Sequence, residues 1–398
     1  MINTILNRKY FDVIVIGAGP AGASAAFFLA SKGVKVLILE KKKFPRHKIC
    51  GGGVVSRIKK ILPFSFENAV EKEFYTVDVF DQSARLHFKT TRSEPIIMMS
   101  MRSDLDLFLL SKALEAGAVI KLEYEAKEIV QSDERIEISS NRGNFSGEFL
   151  IAADGATGIS SKFLGLKDNI IRLPAIEAEV EIDGENYSKL FESPRFDFGI
   201  IDKGYAWVFP KRDHLSIGVA LMKKDKVNLN EAYRKYLSLL GLTKIIHSEK
   251  SGYTIPMLRQ TKNFGFGRLL LTGDAAGLAD PVTAEGISGS VFSGYLAAKA
   301  IIEKRFDVRF VRDFYNLIIH ENIIKENRYA RIISNLIYSS PQVRAIIFKL
   351  YGQRLSEIIT DIFTGEKKYS SLMTDPTNYY KLLKYMLEDK NKRVCNPF

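Results

Sequence analysis

The hexapeptide Gly17-Ala18-Gly19-Pro20-Ala21-Gly22 follows the largely apolar run Phe11–Ile16. Such a run, bounded by glycine, is typical of a strand buried in a parallel sheet. Small and apolar residues then continue to Lys32, Gly33 ends a predicted helix, and a second apolar run ends at Glu40. The order of strand, glycine turn, helix and strand predicts a β-α-β unit that opens a doubly wound sheet.

The glycines of this unit indicate a dinucleotide site. Gly17 permits a tight turn, Gly19 lets the backbone approach a pyrophosphate, and Gly22 lets the helix pack closely on the strand. Glu40 stands where a carboxylate accepts hydrogen bonds from a ribose 2′-hydroxyl, which disfavours a 2′-phosphate and favours FAD or NAD over NADP. The neighbouring positions expected to contact the cofactor are Pro20, Ala21 and Lys41.

The middle of the chain has a different pattern. Short alternating segments rich in β-branched and aromatic residues predict antiparallel strands of a second sheet. These segments are residues 75–80, 85–90, 176–182, 196–202, 204–210 and 214–222. Phe149–Gly155 and Arg268–Asp274 return to the buried-strand pattern, and a small-residue helix follows through Ala300. The predicted fold class is α/β: a discontinuous Rossmann-like domain with an inserted antiparallel-sheet domain and a C-terminal helical region.

Domain boundaries are expected where these patterns change. The cofactor domain is assigned residues 1–74, 97–165 and 255–305, with a helix over Arg102–Gly117. The inserted substrate domain is assigned residues 75–96 and 166–254, and the helical region residues 306–398. The basic, Tyr- and Ile-rich stretch Val308–Leu336 has the apolar spacing either of helices packed on a neighbouring domain or of a surface that touches a bilayer.

Charge and cysteine content narrow the classes of partner. The net charge is +12 and the pI about 9.3, which suits nucleic acid, anionic headgroups, phosphorylated substrates or simply solvated lysines. Without an arginine-rich tract, zinc-finger spacing or RNA-binding signature, we expect no nucleic-acid partner and no metal site. Cys50 and Cys395 show no pairing pattern, and no run reaches about 18 apolar residues. We expect a cytoplasmic protein, soluble or peripheral on the inner face of the membrane.

Further motifs stand at the carboxyl ends of predicted strands, where open α/β sheets bind ligands. Arg102 begins a helix, Asp154-Gly155 ends one buried strand, and Gly273-Asp274 ends another. Singly, each is compatible with a surface arginine or a structural turn. Jointly and in this order they favour FAD over NAD, with Asp274 placed to hold a ribitol hydroxyl. The following turn adds the expected cofactor contacts Pro281, Gly286 and Ile287.

With these motifs the chain resembles the flavoprotein superfamily of p-hydroxybenzoate hydroxylase over residues 10 to 300. The resemblance implies FAD as cofactor. One position departs from the hydroxylases, whose Asp-Gly motif ends in an arginine linked with NAD(P)H use: here Ser161, followed by Lys162, takes its place. This departure argues against direct reduction by a pyridine nucleotide. The lack of a second glycine fingerprint argues against a separate NAD(P)H domain. The implied electron donor is external, either ferredoxin or NAD(P)H.

Two stretches resemble the geranylgeranyl reductase family within that superfamily. Phe44–Gly53 matches its P-x-x-K-x-C-G-G segment, and Tyr205–Lys211 matches its Y-x-W-x-F-P-K motif. The resemblance implies a reductase that saturates isolated double bonds of a polyprenyl chain by hydride transfer from reduced flavin N5 plus a proton. The implied substrates are a prenyl lipid, a prenyl diphosphate or a quinone side chain.

Candidate catalytic and substrate residues come from the same two stretches. Cys50 is a candidate proton source or flavin neighbour, and Gly51-Gly52 brings backbone close to the flavin ring. Tyr205, Trp207 and Phe209 alternate along a strand and face one side, as a prenyl-binding wall requires and as a core strand also does. Lys48 and Lys211 are the alternative candidates to orient an anionic headgroup. The bland alternatives are a small buried cysteine and a solvated lysine.

Other functions remain open at this point. Flavin halogenases carry a related W-x-W-x-I-P element, so an oxygen-dependent monooxygenase or halogenase is the alternative enzyme. A non-catalytic isoprenoid carrier on the same fold, like the Rab GDP-dissociation inhibitors, is the second alternative. The complete set of flavin motifs argues against such a carrier.

Overall fold

The computed structural model describes residues 9–166, 170–183, 185, 187–242, 245–258 and 263–374. Cys395 lies outside these residues. In chain order the strands are β1 Tyr10–Ile16, β2 Val36–Glu40, β3 Gly53–Val55, β4 Lys72–Phe74, β5 Thr76–Asp81, β6 Leu86–Thr91, β7 Ile97–Met99, β8 Val119–Leu122, β9 Ala126–Gln131, β10 Ile136–Ser140, β11 Gly143–Ala152, β12 Ile170–Ile182, β13 Arg195–Phe198, β14 Gly204–Pro210, β15 Leu215–Leu221, β16 Ile245–Leu258, β17 Gly265–Phe266 and β18 Leu269–Leu271.

Within the same residues the α-helices are α1 Pro20–Ala30, α2 Arg102–Glu115, α3 Ile159–Phe163, α4 Leu229–Leu239, α5 Ile287–Glu303, α6 Val308–Ile319, α7 Lys325–Tyr338, α8 Pro341–Phe363 and α9 Tyr369–Thr374. A π-helical turn, His320–Ile324, joins α6 to α7. Among the described residues, no helix is both long enough and apolar enough to cross a membrane.

The first sheet is the predicted doubly wound sheet. Its strands lie in the order β17-β18-β11-β1-β2-β8, and β11, β1, β2, β8 and β18 run parallel. The residues of β1 and β2 are almost all buried, as parallel strands covered on both faces require. Because β1, β11 and β18 run in one direction, the turns that follow them meet at one edge of the sheet.

The glycine turn after β1 is held by close packing. Gly17 has a φ of +97°, and a Cβ at Gly22 would lie 1.9 Å from the Gly17 carbonyl oxygen. Pro20 occupies the first turn of α1, where its missing N–H costs no helical hydrogen bond. A Cβ at Gly294 on α5 would lie 2.2 Å from the Ala21 carbonyl oxygen. Gly22 therefore lets α1 pack closely on the glycine turn and β1, and Gly294 lets α5 pack closely on α1.

The second sheet confirms the predicted fold class. Its order is β16-β12-β15-β14-β13-β5-β6, antiparallel except between β13 and β5. The segments predicted at 75–80, 85–90, 204–210 and 214–222 agree within one residue with β5, β6, β14 and β15. The segment predicted at 196–202 ends at Phe198, because Gly199 turns the chain with a φ of +84°. The segment predicted at 176–182 is the second half of β12.

The longest strand of this sheet was not expected from the pattern. β16 carries polar residues, Gly252 and Pro256, which weaken any strand signal. It lies at the sheet edge and pairs only with β12 in the described sheet, so that proline's missing N–H is tolerated. It continues to Leu258, past the domain boundary placed after residue 254.

A fully buried ion pair attaches the C-terminal helices to the second sheet. Arg344 Nε on α8 donates to Asp81 Oδ2 at the end of β5 at 3.0 Å, and Arg344 Nη1 donates to the Asp202 carbonyl oxygen at 3.0 Å. Asp81 Oδ1 accepts from the Ser83 amide at 3.0 Å. Both charged side chains are inaccessible to solvent. Each charge therefore needs the other to offset the free energy lost when its hydration shell is removed.

We predict that Arg344→Met lowers the free energy of unfolding by about 3–5 kcal/mol, because it leaves the Asp81 carboxylate buried without its partner. Arg354→Met is the matched control on the same helix, since Arg354 pairs with Glu357 in a partly exposed contact. That control is expected to cost about 0.5 kcal/mol or less. Chemical denaturation measures both, and equal midpoints for the two variants would contradict the prediction.

Candidate active site

A cavity of about 460 Å³ lies between the carboxyl edge of the first sheet and one face of the second. Its walls include most of the residues singled out from the sequence. These are Gly17, Gly19, Pro20, Ala21, Glu40, Lys41, Cys50, Gly51, Gly52, Arg102, Asp154, Gly155, Tyr205, Trp207, Phe209, Asp274, Gly286 and Ile287. Segments far apart in the chain thus meet at one site.

Four of the predicted residues do not line this cavity. Gly22 and Gly273 lie behind its wall at helix–strand contacts, and Pro281 lies within the turn after Asp280. Lys211 corrects an expectation: it is fully buried, and its Nζ donates to the Ser100 carbonyl oxygen at 3.0 Å instead of reaching a headgroup. Lys211 directly follows β14, and Gly52 of the glycine loop packs against its ammonium group.

Glu40 holds the glycine turn in shape. Its Oε2 accepts from the Ala18 amide and its Oε1 from the Lys42 amide, each at 2.9 Å. The carboxylate is almost fully buried on the cavity wall at the end of β2. Two backbone N–H groups that donate to one carboxyl group hold it in a fixed orientation. It therefore presents an oriented acceptor beside the turn.

Two arginines share one buried carboxylate at the end of the cavity beside the glycine turn Gly17–Gly22, which is called the phosphate loop below. Asp106 accepts from Arg102 Nε and Nη2 at 2.9 Å each, and Arg46 Nη2 lies 2.8 Å from Asp106 Oδ2. Burial lowers the pKa of Arg102, but Asp106 and Cys50 outweigh it and raise that pKa above its ordinary value. Two guanidinium groups against one carboxylate leave this end of the cavity positive.

Arg46 has unused hydrogen-bonding capacity near the glycine turn. Its Nη2 lies 3.5 Å from the position of a Cβ on Gly19. Within the described residues, Arg46 Nε is buried and has no hydrogen-bond acceptor. An unpaired buried donor is costly unless a ligand supplies the acceptor.

The glycine loop after Cys50 packs against the aromatic strand β14. A Cβ on Gly51 would lie 2.8 Å from Phe209 Cδ2 and 3.1 Å from Trp207 Nε1. The Gly52 amide donates to Cys50 Sγ at 3.5 Å, and the thiol is half-buried on the cavity wall. The loop and the strand therefore come closer than any other residue type at 51 would permit.

Tyr205, Trp207 and Phe209 form one continuous aromatic wall. Their ring centroids are 5.9 Å and 6.0 Å apart in sequence order. The Tyr205 hydroxyl donates to the Thr283 carbonyl oxygen at 2.7 Å, and Trp207 Nε1 donates to Ser216 Oγ at 3.3 Å. Burial raises the pKa of Tyr205 above its ordinary value, so its hydroxyl stays neutral. Because the polar tips bond away, apolar ring surface faces the cavity.

Asp154 and Ser161 find their hydrogen-bond partners within their own segment of the chain. Asp154 Oδ2 accepts from the Ser160 amide at 2.9 Å, and its Oδ1 accepts from the Ser160 hydroxyl at 2.5 Å. Burial raises the pKa of Asp154 above the usual carboxyl value, although both Ser160 bonds oppose the rise. Ser161 is buried, with its hydroxyl donating to the Gly158 carbonyl oxygen at 3.1 Å.

Asp274 gathers a lysine and a tyrosine from two other segments. Its Oδ2 lies 3.3 Å from Lys48 Nζ and accepts from the Tyr253 hydroxyl at 3.2 Å. Lys48 Nζ also lies 5.5 Å from the centroid of the Tyr253 ring. Burial, followed by the charge of Asp274, raises the pKa of Tyr253 above its ordinary value. These three groups line the cavity and form a polar patch that can accept or donate hydrogen bonds to a polyol chain.

The turn Asp280–Gly286 is fixed from three directions. Asp280 Oδ1 accepts from the Val282 and Thr283 amides at 2.8 Å and 3.0 Å. Arg57 Nη2 lies 2.7 Å from Glu285 Oε2. The Tyr338 hydroxyl on α7 donates to the Val282 carbonyl oxygen at 2.7 Å. The cavity wall here is therefore rigid although it lacks regular secondary structure.

Sequence reasoning missed Arg46, Tyr253 and Glu177 on the cavity wall. Arg46 lies inside the matched segment Phe44–Gly53, and its place in that segment was the available signal. Tyr253 belongs to β16, whose polar pattern hid the strand. Glu177 alternates with Glu179 and Glu181 along β12, a pattern typical of a solvent-facing side, so the sequence carried no signal for its burial.

The residues present fit FAD. A glycine turn at a helix N-terminus, two buried guanidinium groups and an unpaired Arg46 donor suit a pyrophosphate. Glu40 suits a ribose, and the Gly51-Gly52 backbone and the aromatic wall line the same cavity with apolar surface that suits a flat ring.

Known proteins agree with this site. A family model described as FAD binding domain matches residues 10–304. A digeranylgeranylglycerophospholipid reductase of Picrophilus torridus is 29% identical, in an alignment that covers 77% of this chain and 83% of the relative.

Two solved structures share the fold. A geranylgeranyl bacteriochlorophyll reductase-like protein of Thermoplasma acidophilum matches with a TM-score of 0.76 and 20% identity, over 95% of this chain and 99% of that one. The halogenase PltM matches with a TM-score of 0.69 and 17% identity, over 96% of this chain and 86% of that one. The chain belongs to the FAD binding domain family and is an FAD-dependent oxidoreductase that resembles the geranylgeranyl reductases.

Proposed function

We propose that the protein reduces isolated carbon–carbon double bonds of a polyprenyl chain. The observation that carries this proposal is the change in character along the cavity. Its phosphate-loop end is positive, and its other end is the aromatic wall Tyr205–Phe209. Beyond Tyr205 and Phe196 the wall continues into a second, smaller pocket of about 60 Å³.

That second pocket is built almost entirely from apolar side chains. It lies between the second sheet and the C-terminal helices α7 and α8. Its lining includes Val77, Phe88, Phe198, Val282, Ile337, Tyr338, Phe348 and Leu355. A prenyl chain is long, apolar and unable to hydrogen bond, so such a path suits it better than it suits a small polar aromatic acid.

The chain's own residues then have distinct roles. FAD, when bound and reduced, supplies the hydride. Aromatic faces of Tyr205 and Trp207 stabilise positive character on the tertiary carbon, each by about 0.5–2 kcal/mol when desolvated. Cys50 holds the loop 50–53 against the cofactor, because its sulfur accepts from the Gly52 amide and contacts Arg102. Arg46, Glu40 and Asp274 hold the cofactor's phosphates and hydroxyls.

The proposal extends to the substrate, the electron donor and the location of the protein, each on its own ground. The relative from Picrophilus torridus is named for a geranylgeranyl phospholipid, which makes such a lipid the first substrate to test. We propose an external electron donor, ferredoxin or NAD(P)H; Ser161, in place of the hydroxylase arginine, argues against direct reduction by NAD(P)H. Phe310, Leu317 and Ile346 are each more than half exposed on the helical region, and with the net charge of +12 they suit contact with an anionic membrane surface.

Arg46→Met is predicted to weaken FAD binding about 10- to 100-fold, because it removes charge-assisted hydrogen bonds to the pyrophosphate. Lys43→Met is the control, since the neighbouring Lys43 side chain is 77% exposed. Titration of the apoprotein with FAD, followed by flavin fluorescence, measures both affinities. Equal affinities of the two variants would remove Arg46 from the cofactor site.

Cys50→Ala is predicted to retain FAD and to slow oxidation of the reduced flavin by a prenyl substrate about 10- to 100-fold, through looser positioning. Stopped-flow absorbance under anaerobic conditions measures the rate. Cys50→Ser, which keeps a small polar acceptor, should lose less. An alanine variant with the wild-type rate excludes Cys50 from the mechanism.

Anaerobic turnover separates the proposed reductase from a halogenase or monooxygenase, which needs oxygen. We predict that a geranylgeranyl phospholipid reoxidises the reduced protein without oxygen and gains two mass units for each double bond that is saturated. Mass analysis of the lipid and the return of flavin absorbance are the measurements. Strict dependence on oxygen would refute the proposal, and a purified protein without flavin would favour a carrier instead.

A further inference from the structure

A row of polar side chains crosses the cavity-facing side of the second sheet. In the register of the sheet, Glu177 on β12 lies opposite Gly218 on β15, and Gly218 lies opposite Trp207 on β14. Glu179 likewise lies opposite Ser216. Because directly paired residues point to the same side, these polar groups share a face with the aromatic wall.

Glu177 is the member of this row that reaches the cavity. It lines the cavity and is only 6% exposed. Its Oε1 accepts from Ser216 Oγ at 3.0 Å, and Ser216 Oγ accepts from Trp207 Nε1 at 3.3 Å. Within the described residues, no Lys, Arg or His nitrogen lies within 4.0 Å of its carboxylate oxygens. Its environment is therefore that of a neutral acid and not that of an ion pair.

Burial, followed by the neighbouring Glu179 carboxylate, raises the pKa of Glu177 to about 8, and the Lys211 ammonium opposes the rise. Two adjacent carboxyl groups cannot both ionise cheaply, and a hydrogen bond between them favours one shared proton. The strand β16 places Ser251 opposite Glu177 and Glu249 opposite Glu179. The titratable groups around Glu177 are Glu179 on β12, Lys211 beyond β14, His214 before β15, Tyr233 on α4 and Glu249 on β16.

We infer that Glu177 is the acid that delivers the proton to the substrate double bond, and that Glu179 and His214 return a proton to it from solvent. This inference rests on the proposed reductase function. One carbon of the double bond receives the hydride of the reduced flavin, and the other receives the proton of the Glu177 carboxyl. The π bond is lost and two C–H bonds form, the alkene is reduced, the flavin is oxidised and Glu177 becomes a carboxylate.

Acidic and basic groups lie between Glu177 and the surface. His214 Nε2 lies 3.2 Å from Glu179 Oε2, and His214 Nδ1 lies 2.7 Å from Asp213 Oδ1. The Asp213 side chain is 81% exposed. The Glu179 carboxylate, followed by that of Asp213, raises the pKa of His214 to about 9 against the effect of burial. A protonated imidazole therefore stands between the surface and the acid pair at neutral pH.

Cys50, the acid considered from the sequence, has no comparable supply. Its contacts are the Gly52 amide and the Arg102 guanidinium, and neither gives up a proton at neutral pH. The two candidate acids therefore differ in a measurable way: only Glu177 should impose its titration on the rate.

The single tryptophan of the chain, Trp207, reports on Glu177 through Ser216. In the FAD-loaded, 15N-labelled protein, the indole N–H gives one cross-peak, which we expect to shift with a midpoint near pH 8. Glu177→Gln should abolish this shift, whereas Glu181→Gln, at an exposed position two residues beyond Glu179, should leave it unchanged. A midpoint below pH 6, or a shift that survives Glu177→Gln, would overturn the inference.

The same variants are then tested in anaerobic oxidation of the reduced flavin by a geranylgeranyl phospholipid. The wild-type rate should fall as the pH rises through about 8, because the carboxyl loses the proton that it must deliver. Glu177→Gln should retain FAD, react at least about 100-fold more slowly and lose this pH dependence, and Glu177→Asp should restore part of the rate. Cys50→Ala should keep the wild-type pH dependence.

The outcomes separate the inference from the function on which it rests. A Glu177→Gln variant that reacts at the wild-type rate overturns the role of Glu177 and leaves the reductase standing. A wild-type protein whose flavin no prenyl compound oxidises overturns the reductase, and the catalytic role of Glu177 with it. A slow Glu177→Gln variant beside an unaffected Glu181→Gln variant supports both.

Discussion

The buried Asp106 carboxylate holds the cavity together, because it binds two arginines from different segments. Arg102 belongs to the same helix, but Arg46 belongs to the irregular loop 44–53, and its contact with Asp106 anchors that loop over the glycine turn. From this anchor the loop crosses the cavity: Lys48 reaches Asp274, and Gly51 packs on β14. An irregular segment can hold three such contacts only when a buried, charge-assisted bond fixes one end.

Charge falls off along the cavity in step with the chemistry proposed for it. Guanidinium groups lie at one end, where a pyrophosphate needs them. Aromatic rings and the buried Glu177 carboxyl lie at the other, where a charged group would be expensive to desolvate. The buried Lys211 fits this arrangement, because its bond to the Ser100 carbonyl keeps the ammonium out of the apolar part. Because Lys211 lies behind the aromatic wall, the cavity surface at this end stays apolar.

Local patterns determined what was predictable from the sequence. The turn Gly17–Gly22, the strands β5, β6, β14 and β15 and the fold class all rest on short-range periodicity, and the structure bears them out. The strand β16 escaped because edge strands tolerate glycine, proline and polar residues. The roles of Arg46 and Glu177 escaped for another reason: burial and partnership are properties of tertiary packing, and a charged residue in a sequence looks the same whether it is solvated or enclosed.

The fold alone does not separate a reductase from a halogenase, since solved structures of both kinds of protein share it with this chain. The distinction lies in what the second sheet offers to the cavity. An antiparallel sheet that packs one face on a cavity needs apolar residues there, and β12 breaks that rule at two alternate positions, Glu177 and Glu179. Burying a carboxyl costs free energy that better apolar packing would save. A fold keeps such a pair where its proton is useful, and an isolated alkene, with no oxygen to absorb charge, is a substrate that demands one.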